Sequence, residues 1–588
     1  MYKPYFSKSL PLIHLYINLI YNMAKSKMDM ADIMKIRPYV EKKKSNGNTY
    51  YQLARKAWIN GRSERVWSKY LGTAEKIEKV YDEHENCTSL KLKSYEYGRT
   101  AALMKIAEEL NFVEIVNKHT SKKKMGGLTV GEYMLLVILS RADEPVSKNG
   151  ISDWFDESFL SLIWSFSHKL NTQNFTNHME YLTDDVMRKI GDDIGKILVE
   201  LGLVPTKLYI DMSNVFTYIE NGEKLPKKGK SKEKRYDKNI IGIGIATSDE
   251  NIPILHESYP GNKHDSKVFG EIFMKIVDRL NKINVPCKGI VAVWDKGCNS
   301  EENIGMVKDS EMNVVGALRK DQVPELYDIP LDKYDYLYTN KKKHEVKGYR
   351  ITKEVFGHEY TIVMSYNEGS YKKQSNTYEK KKVKILEELE KIKQSVERVG
   401  KGRKKSIKNA LIDASKVVRN YEGAFKYDGY EKDSRQVFEY SVDADGEKEL
   451  RATFGKNPIF TDKHEWDSEK IVKTYNQKDF VEKDFKWLKS TRFICIKPIY
   501  LSDDDHIKVH IFLCVAGLVF YRYMMWKLRK QNETLSETKI IDRLEKIRIA
   551  VVKKNDGNPK LKYEDMDLDQ MRLFSTFELE SVLKNVNF

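Results

Sequence analysis

The stretch that decides the fold begins Lys207-Leu-Tyr-Ile-Asp-Met-Ser213 and continues further along the chain with Gly289-Ile-Val-Ala-Val-Trp-Asp295. Both runs are short and rich in β-branched and aromatic residues, which is the pattern of a β-strand. The second run is almost wholly apolar, so we expect a strand that is buried on both faces. The same kind of pattern predicts three further strands, at 239–247, 252–259 and 313–318.

Two predicted helices separate these strands. Apolar residues recur at helical spacing from Asp265 to Ile283, and Asp265 is the predicted N-cap because its side chain can accept free helix amides. A short helix is expected from Ser300. The short gap between the second and third strands requires an antiparallel pair. Three strands, a helix, a strand, a short helix and a strand give the order of an α/β ribonuclease-H-like domain with a mixed five-stranded sheet.

The helix that closes such a domain is expected much later, near Ser468. A structureless loop of about 150 residues inside a domain is implausible, so we predict an inserted α+β subdomain. Helical spacing over Tyr378–Val396 and again over Ser406–Asn420, with glycines at Gly400–Gly402 between them, predicts a helical hairpin. Strand-like segments such as Tyr349–Ser365 flank it.

The charge balance favours a polyanionic partner. The 588 residues include 102 Lys or Arg against 86 Asp or Glu, a formal net charge of +16. Net charge says nothing about fold. Much of the lysine could also lie on solvated helix surfaces without binding any partner. The 41% of hydrophobic residues indicates a folded chain. The five cysteines include no Cys-x-x-Cys pair, which excludes a zinc knuckle of the usual pattern and favours a reducing cytoplasm.

Two apolar stretches need a membrane test. Leu10–Met23 is too short to span a bilayer. It follows two lysines as a signal peptide would, but a working start at Met23 or Met28 explains the stretch at least as well. The second stretch, Ile511–Trp526, is interrupted by Arg522, so we predict a buried core helix and no membrane segment.

The region before the predicted α/β core contains a β-hairpin and a helical module. Asn60-Gly61 within Thr49–Gly72 is a strong hairpin-turn signal, because both central residues of the favoured turn need positive φ. Aromatic residues alternate there with Lys and Arg. This hairpin could bind nucleic acid or simply pack on neighbouring segments.

The sequence pattern divides the chain into seven predicted segments. They are an N-terminal extension (1–37), the hairpin region (38–95), a mainly helical module for DNA binding or subunit contact (96–203), the first part of the α/β core (204–320), the inserted subdomain (321–465), the closing helices of the core (466–530) and a C-terminal helical tail (531–588).

Three carboxylates could converge in the predicted core. Asp211 lies in the first strand and Asp295 ends the fourth, and these strands are neighbours in the expected topology. An acid that ends a buried strand is costly unless it has a partner or a metal. On the helix near Ser468, Glu482 shares a stripe about 60° wide with Tyr475, Lys478 and Lys489. Taken singly, each aspartate could be a strand-end turn residue, and the stripe could be a solvated face with a Lys478–Glu482 pair.

The spacing Tyr475-x2-Lys478-x3-Glu482-x6-Lys489 resembles the Tyr-x2-Arg-x3-Glu-x6-Lys signature of DDE transposases from prokaryotic insertion sequences. The resemblance is to the group typified by insertion sequence four and its longer relatives, and it covers roughly residues 38 to 550. Three further pieces resemble that group, namely Ile252-Pro253 with Pro260-Gly261-Asn262 and Asp265, Trp294-Asp295-Lys296-Gly297, and the hairpin end Tyr70-Leu71-Gly72.

This resemblance implies that Asp211, Asp295 and Glu482 are catalytic and bind two Mg²⁺ or Mn²⁺ ions. Tyr475, Lys478 and Lys489 would then contact phosphates near the cleaved strand. The chain departs from the group at Lys478 and Lys296, where arginine is usual, and at Ser213, where threonine is common. Lysine keeps the charge of arginine but loses its bidentate phosphate contact.

A basic loop is predicted between the first two strands of the core. Residues 224–238 include eight Lys or Arg. The loop lysines, Lys227, Lys228, Lys230 and Lys232, could grip DNA close to Asp211. They could equally belong to a mobile loop that is merely soluble.

The expected function is that of a transposase, which cleaves element ends and transfers their 3′ ends to target DNA. Its partners would be double-stranded DNA, comprising terminal inverted repeats and target, and a second copy of the chain on that DNA. The expected location is the cytoplasm, in association with the nucleoid. Two alternatives remain: a metal-dependent nuclease of the same fold, and an inactive DNA-binding protein derived from a transposase.

Overall fold

The computed structural model describes residues 30–45, 47–59, 61–85, 90–121, 127–164, 170–399, 404–433, 435–554 and 557–584. The apolar stretch Leu10–Met23, the candidate starts, Asn60 of the predicted turn and the predicted glycine break at 400–402 lie outside these residues. The chain divides into two compact units. The smaller unit comprises the described residues up to Ser94 together with Ile549–Glu564, and the larger comprises Tyr95–Arg548 with the residues from Asp565 onward.

The smaller unit contains a three-stranded antiparallel sheet. Its strands are β1 (Tyr39–Ser45), β2 (Asn48–Ile59) and β3 (Arg62–Gly72), in the order β1-β2-β3. The predicted hairpin is therefore confirmed as β2 and β3, and the structure adds β1 as a third strand. Two helices accompany this sheet, and a second three-stranded sheet has the order β17-β16-β4. These elements are α1 (Met30–Lys35), α2 (Ala74–Glu85), β4 (Leu90–Glu96), β16 (Arg548–Lys554) and β17 (Lys560–Tyr563).

The larger unit begins with a helical region, as predicted. Its helices are α3 (Gly98–Glu109), α4 (Phe112–His119), α5 (Val130–Asp143), α6 (Ile151–Glu157), α7 (Leu160–Ile163), α8 (Thr172–Met179) and α9 (Asp184–Glu200). Threonine or asparagine side chains cap three of these helices, namely Thr129 at α5, Asn171 at α8 and Thr183 at α9. Thr129, for example, forms a reciprocal capping box with Glu132 at the start of α5.

An α/β region follows. Its strands are β5 (Lys207–Thr217), β6 (Asn239–Ser248), β7 (Pro253–Pro260), β8 (Val291–Trp294), β9 (Asn313–Ala317), β10 (Asp335–Thr339), β11 (Glu345–Val355), β12 (His358–Asn367), β13 (Phe425–Lys432), β14 (Arg435–Val442) and β15 (Lys456–Thr461). Its helices are α10 (Asp265–Lys282), α11 (Glu301–Asp309), α12 (Glu368–Val396), α13 (Ile407–Val418), α14 (Ala444–Ala452), α15 (Ser468–Asn476), α16 (Asp479–Lys489) and α17 (Asp504–Lys530). Helices α18 (Glu537–Glu545) and α19 (Leu568–Thr576) come after it.

The central sheet has nine strands, in the order β10-β11-β12-β15-β9-β8-β5-β6-β7. The five predicted strands form one continuous block. Strand β8 is parallel to both β5 and β9, whereas β6 is antiparallel to both β5 and β7. The prediction of a five-stranded sheet was wrong, because four strands from the predicted insertion extend it. Strand β15 pairs with β9 and so covers an edge that would otherwise present unpaired backbone groups.

The remainder of the predicted insertion builds a separate helical and β-hairpin module. Helices α12, α13 and α14 pack with the β13–β14 hairpin around a core that includes Tyr378, Leu389, Val396 and Phe438. The helical hairpin is thus present, but its first helix begins ten residues earlier than predicted. Asn367 caps that helix by accepting a hydrogen bond from the amide of Ser370.

Helix α17 is the predicted buried helix. Among the described residues it is the one helix long and apolar enough to cross a membrane, but 94% of its most apolar window is buried inside the protein. The principal core lies between α10 and the central strands. The apolar face of α10 contributes Phe269, Phe273 and Ile276 to it. The sheet and α10 together fix the strand ends on which the candidate site is built.

Candidate active site

Asp211 and Asp295 occupy matching positions on two adjacent parallel strands. Ile210 of β5 pairs with Trp294 of β8, and each aspartate is the next residue along its strand. Neighbouring strands lie about 4.8 Å apart, so this register places the two aspartates side by side on adjacent central strands. The predicted adjacency of the two strands is therefore confirmed.

The two aspartates differ in electrostatic environment. Burial raises the pKa of Asp211 above its usual value, and the nearby charge of Asp295 raises it further, against the effect of Lys232. The side chain of Asp295 is 53% exposed. Burial acts to raise its pKa too, but the ion pair with Lys478 outweighs burial and holds the pKa below its usual value. At Asp211 the nearby lysines therefore do not outweigh burial, whereas at Asp295 the ion pair does.

Two residues of the predicted stripe contact Asp295. The Nζ of Lys478 donates to Oδ1 of Asp295 at 2.9 Å, and the hydroxyl of Tyr475 lies 3.5 Å from the same oxygen. Tyr475 is buried, and burial followed by the charge of Asp295 raises its pKa to about 12, against the opposing charge of Lys478. Lys478 also lies over the Tyr475 ring, 5.2 Å from its centroid. Both side chains therefore position the aspartate in the absence of DNA.

The stripe does not lie on one continuous helix. Helix α15 ends at Asn476 and α16 begins at Asp479. The amide of Lys478 bonds the carbonyl of Tyr475, and that of Phe480 bonds the carbonyl of Gln477, so one tight turn joins the two helices. The side chain of Gln477 also accepts a hydrogen bond from the Tyr209 hydroxyl of β5 at 2.7 Å. This contact fixes the joint over the sheet.

Glu482 lies on α16 and is exposed. It falls between Lys478, which contacts Asp295, and Lys489, whose Nζ donates to Oγ of Ser213 at 2.9 Å. Both flanking lysines thus face the strand edge that carries the aspartates. Within the residues that the structure describes, no three His, Cys, Asp or Glu side chains lie close enough together to hold a metal ion. The structure brings Asp211 and Asp295 together but does not bring Glu482 into contact with them.

A buried ion pair anchors α16, and the sequence did not reveal it. Asp484 accepts hydrogen bonds from Thr247 Oγ1 of β6 at 2.8 Å and from Arg522 Nε of α17 at 2.7 Å. The side chains of Asp484 and Arg522 are both fully buried. The available signal was Arg522, a charge within an otherwise apolar helix, which requires a buried partner. The pair fixes the helix that carries Glu482 and Lys489 across β6.

The basic loop is packed against β5. The side chain of Asn214 donates to the carbonyl of Lys230 at 3.0 Å and accepts from the amide of Lys232 at 2.9 Å. The ammonium of Lys232 donates to the carbonyl of Met212 and lies 3.5 Å from Asp265. Of the loop lysines, Lys232 therefore comes nearest to Asp211.

The other loop lysines differ in their contacts. Lys227 donates to the carbonyl of Glu223 at 2.7 Å, Lys228 donates to that of Asp237 at 2.5 Å, and Lys230 is exposed. Arg235 lies over the ring of Phe216, 4.9 Å from its centroid. The loop therefore contacts the core through Asn214 and Phe216, and the role of its lysines in DNA binding stays a prediction.

Asp265 has a different role from the predicted one. His264 occupies the N-cap position of α10, and Asp265 is the first helical residue. Its carboxylate accepts a hydrogen bond from the Tyr259 hydroxyl at 2.9 Å. Burial, together with the charges of Asp265, Asp295 and Asp211, raises the pKa of the Cys298 thiol to about 12. Asp265 therefore adds negative potential beside the two strand-end aspartates.

The donor set at the strand edge fits a hard divalent cation. Such cations take carboxylate oxygens as ligands. Asp211 and Asp295 supply oxygens from adjacent strands, and ammonium groups at present offset their charge, Lys478 by direct contact with Asp295. Glu482 on the neighbouring helix α16 is the third ligand that the sequence predicts, and its role stays a prediction.

Comparison with known proteins identifies the family of this chain. The family model described as Transposase DDE domain matches residues 217–520, just over half of the chain. The match includes Asp295 and Glu482 but begins six residues after Asp211. The position of Asp211 beside Asp295 is supported by the register of β5 and β8 instead. No curated protein matches the chain. The family match, together with the ribonuclease-H-like strand order, shows that this chain belongs to the DDE transposase family.

Proposed function

We propose that the protein cleaves the ends of a mobile DNA element and transfers the freed 3′ ends to target DNA. Asp211, Asp295 and Glu482 would hold two Mg²⁺ or Mn²⁺ ions. The observation that carries this proposal is the parallel pairing of β5 and β8, which sets the two aspartates side by side. Membership of the transposase family supports the reaction class.

The divalent ions would supply the positive charge that stabilises the attacking and leaving oxygens of a phosphodiester. The chain's own residues would prepare the site for them. Lys478 and Tyr475 orient Asp295. Lys489 joins α16 to β5 through Ser213 and the carbonyl of Asn214, at 2.9 and 2.8 Å.

The same cationic side chains would hold the DNA backbone. Lys478, which pairs with Asp295, would contact a phosphate instead if a bound cation took over that carboxylate. Lys489 and the loop lysines extend positive charge from that point along β5, and Tyr475 would contribute a hydroxyl donor. Duplex DNA is the expected ligand, since its phosphates attract such a surface without regard to sequence.

The active form would contain two copies of the chain on DNA. Moving a segment requires that two ends be cut, and one set of three carboxylates acts on one scissile phosphate at a time. Pairing of two protomers would therefore couple the two cleavages.

A strand-transfer assay tests this function. The substrate is labelled duplex DNA that carries the inverted repeats flanking the gene, mixed with supercoiled target plasmid and Mg²⁺, and the control reaction contains EDTA. We expect cleavage at the repeat ends and joined products in Mg²⁺ alone. Cleavage without joined products would indicate a nuclease, and binding without cleavage would indicate an inactive DNA-binding protein.

A further inference from the structure

The three-stranded sheet of the smaller unit presents one face of aromatic and basic side chains. Side-chain contacts and strand alternation place Tyr39, Tyr50, Lys56 and Tyr70 on this face. The rings of Tyr50 and Tyr70 lie 5.9 Å apart, and the ammonium of Lys56 lies 4.9 Å from the centroid of the Tyr39 ring. Because side chains alternate along a strand, Trp58 belongs to the same face as Lys56. We call this surface the aromatic face.

Large apolar rings on this face are open to solvent. Trp58 is 79% exposed and Tyr70 is 61% exposed. The opposite face of β2 carries Arg55, which donates to the carbonyl of Met34 at the end of α1 at 2.8 Å. One face of the sheet therefore contacts α1, whereas Trp58 and Tyr70 on the other face are exposed. Exposed aromatic rings on one face of a sheet indicate a binding surface.

The charge of the sheet selects the kind of partner. Eight Lys or Arg and two Glu lie between Tyr39 and Gly72. One of the two acids, Glu41, is occupied by Gln52 and by Arg65 at 2.9 Å. Lys43 is exposed and lines a shallow cleft of about 190 Å³ whose other walls include Tyr50 and Tyr70. A polyanion that also offers flat apolar surfaces complements this arrangement.

We propose that the aromatic face binds single-stranded DNA, with unpaired bases stacked on Trp58 and Tyr70 and phosphates held by Lys43 and Lys56. Single-strand binding combines a cationic track with aromatic rings on which successive bases stack. In a duplex the base faces are stacked on one another and cannot reach flat rings on a sheet. The choice of DNA rather than RNA rests on the proposed transposase function, in which strand cleavage exposes unpaired ends.

Fluorescence anisotropy of the full chain in EDTA tests the proposal. One probe is an oligothymidine of about 20 nucleotides, longer than the roughly 4–16 nucleotides covered by one small single-strand-binding domain. A mixed-sequence duplex of the same length is the second probe. The test variant carries Trp58→Ser and Tyr70→Ser, and the conservative variant carries phenylalanine at both positions. The matched control is Tyr336→Ser, because Tyr336 is 58% exposed on β10, in the larger unit.

We expect the double serine variant to bind oligothymidine at least about tenfold more weakly, since each stacked base contributes on that scale. The double phenylalanine variant should retain binding within about threefold, because it keeps both rings. Duplex binding and the Tyr336→Ser variant should change little. Equal losses for duplex and oligothymidine, or no loss for either, would overturn the proposal.

A second probe keeps the test independent of variant folding. An abasic strand of the same length has the phosphates but no bases, and wild-type protein should bind it about tenfold more weakly than oligothymidine. Equal binding of the two strands would contradict base stacking. Because the assay contains no divalent metal, its outcome is separate from the fate of the proposed function. If the protein cleaves ends but binds both strands equally, only the proposal of single-strand binding by the aromatic face is overturned. If it prefers oligothymidine but cleaves no ends, only the proposed transposase function is overturned.

Discussion

The buried Asp484–Arg522 pair provides a sharp test of how the candidate site is held. The pair ties α16, which carries Glu482 and Lys489, to β6 and α17. We predict that Asp484→Asn strongly destabilises the protein. Asparagine keeps the shape of the side chain but removes the negative charge, so the guanidinium of Arg522 stays buried without its principal partner.

The magnitude follows from the contacts. Removing one partner of a buried ion pair costs about 3–5 kcal/mol, because the remaining charge is left in a medium of low polarity. Glu537 still lies 3.1 Å from Arg522, so we expect a loss near the lower end, about 3 kcal/mol. Replacing both partners, by Asp484→Leu with Arg522→Met, should restore at least about 2 kcal/mol, since no charge then remains buried.

Urea unfolding followed by tryptophan fluorescence measures these changes. Arg522 lies over the ring of Trp487, 3.9 Å from its centroid, so this part of the protein contributes to the signal. The matched control is Asp479→Asn, the same chemical change at an exposed position of α16, with an expected cost below about 1 kcal/mol from the helix dipole. The reasoning is refuted if Asp484→Asn costs no more than Asp479→Asn, or if the double variant is as unstable as the single one.

Three further predictions concern DNA binding, assembly and pH. Changing all four loop lysines to serine should flatten the plot of log affinity against log salt, since each lost phosphate contact lowers the slope by about 0.9; an unchanged slope would remove the loop from the interface. Mixing wild-type protein with Glu482→Gln should give complexes with one cut and one uncut end, whereas cleavage proportional to the wild-type fraction, without two-ended complexes, would mean that the chain acts alone. Burial opposes the charge of Asp193, but hydrogen bonds from Lys118 and His119 outweigh it and lower the pKa of Asp193 to about 2. A lowered folded-state pKa stabilises the protein above the unfolded value of 3.8, and this stabilisation is lost as the pH falls through 2. Asp193→Asn should therefore lower the urea midpoint at pH 7, with a difference that shrinks below about pH 4; a difference that stays constant would contradict this account.

The strands of the core were predictable because they carry their own signal. The buried run that ends at Asp295 and the alternating run that contains Asp211 are recognisable without any tertiary information. Their adjacency followed from the strand order, and the structure confirms it through the Ile210–Trp294 register. The roles of Asp211, Asp295 and Glu482 in catalysis stay predictions.

The size of the sheet could not be predicted from local pattern. Strand β15 comes far along the chain from β9, and nothing in Lys456–Thr461 tells which strand it will join. Pairing of distant strands is decided by edge coverage and core packing rather than by local propensity. As a result, the sequence did not show that β10, β11, β12 and β15 of the predicted insertion would join the central sheet.

The joint between α15 and α16 was missed for a related reason. Residues 468–489 have helical periodicity throughout, and Gln477 and Lys478 keep right-handed helical dihedral angles. The tight turn occurs where Tyr209 of β5 meets Gln477, a contact between residues far apart in sequence. The Asp484–Arg522 pair was hidden in the same way, because an acid on an amphipathic helix looks solvated until its buried partner is known.

The central claim is that Asp211, Asp295 and Glu482 form one metal-dependent cleavage site. The most direct test is the rate of end cleavage in Mg²⁺ by Asp211→Asn, Asp295→Asn and Glu482→Gln. The matched control is Glu469→Gln, a partly exposed acid on α15 that pairs with Lys473. Each of the three substitutions keeps the side-chain shape and removes a charged oxygen ligand, so each should abolish cleavage while end binding in EDTA persists. The control should cleave at the wild-type rate. Wild-type cleavage by any one of the three variants would contradict the assignment of that residue and the three-carboxylate site with it.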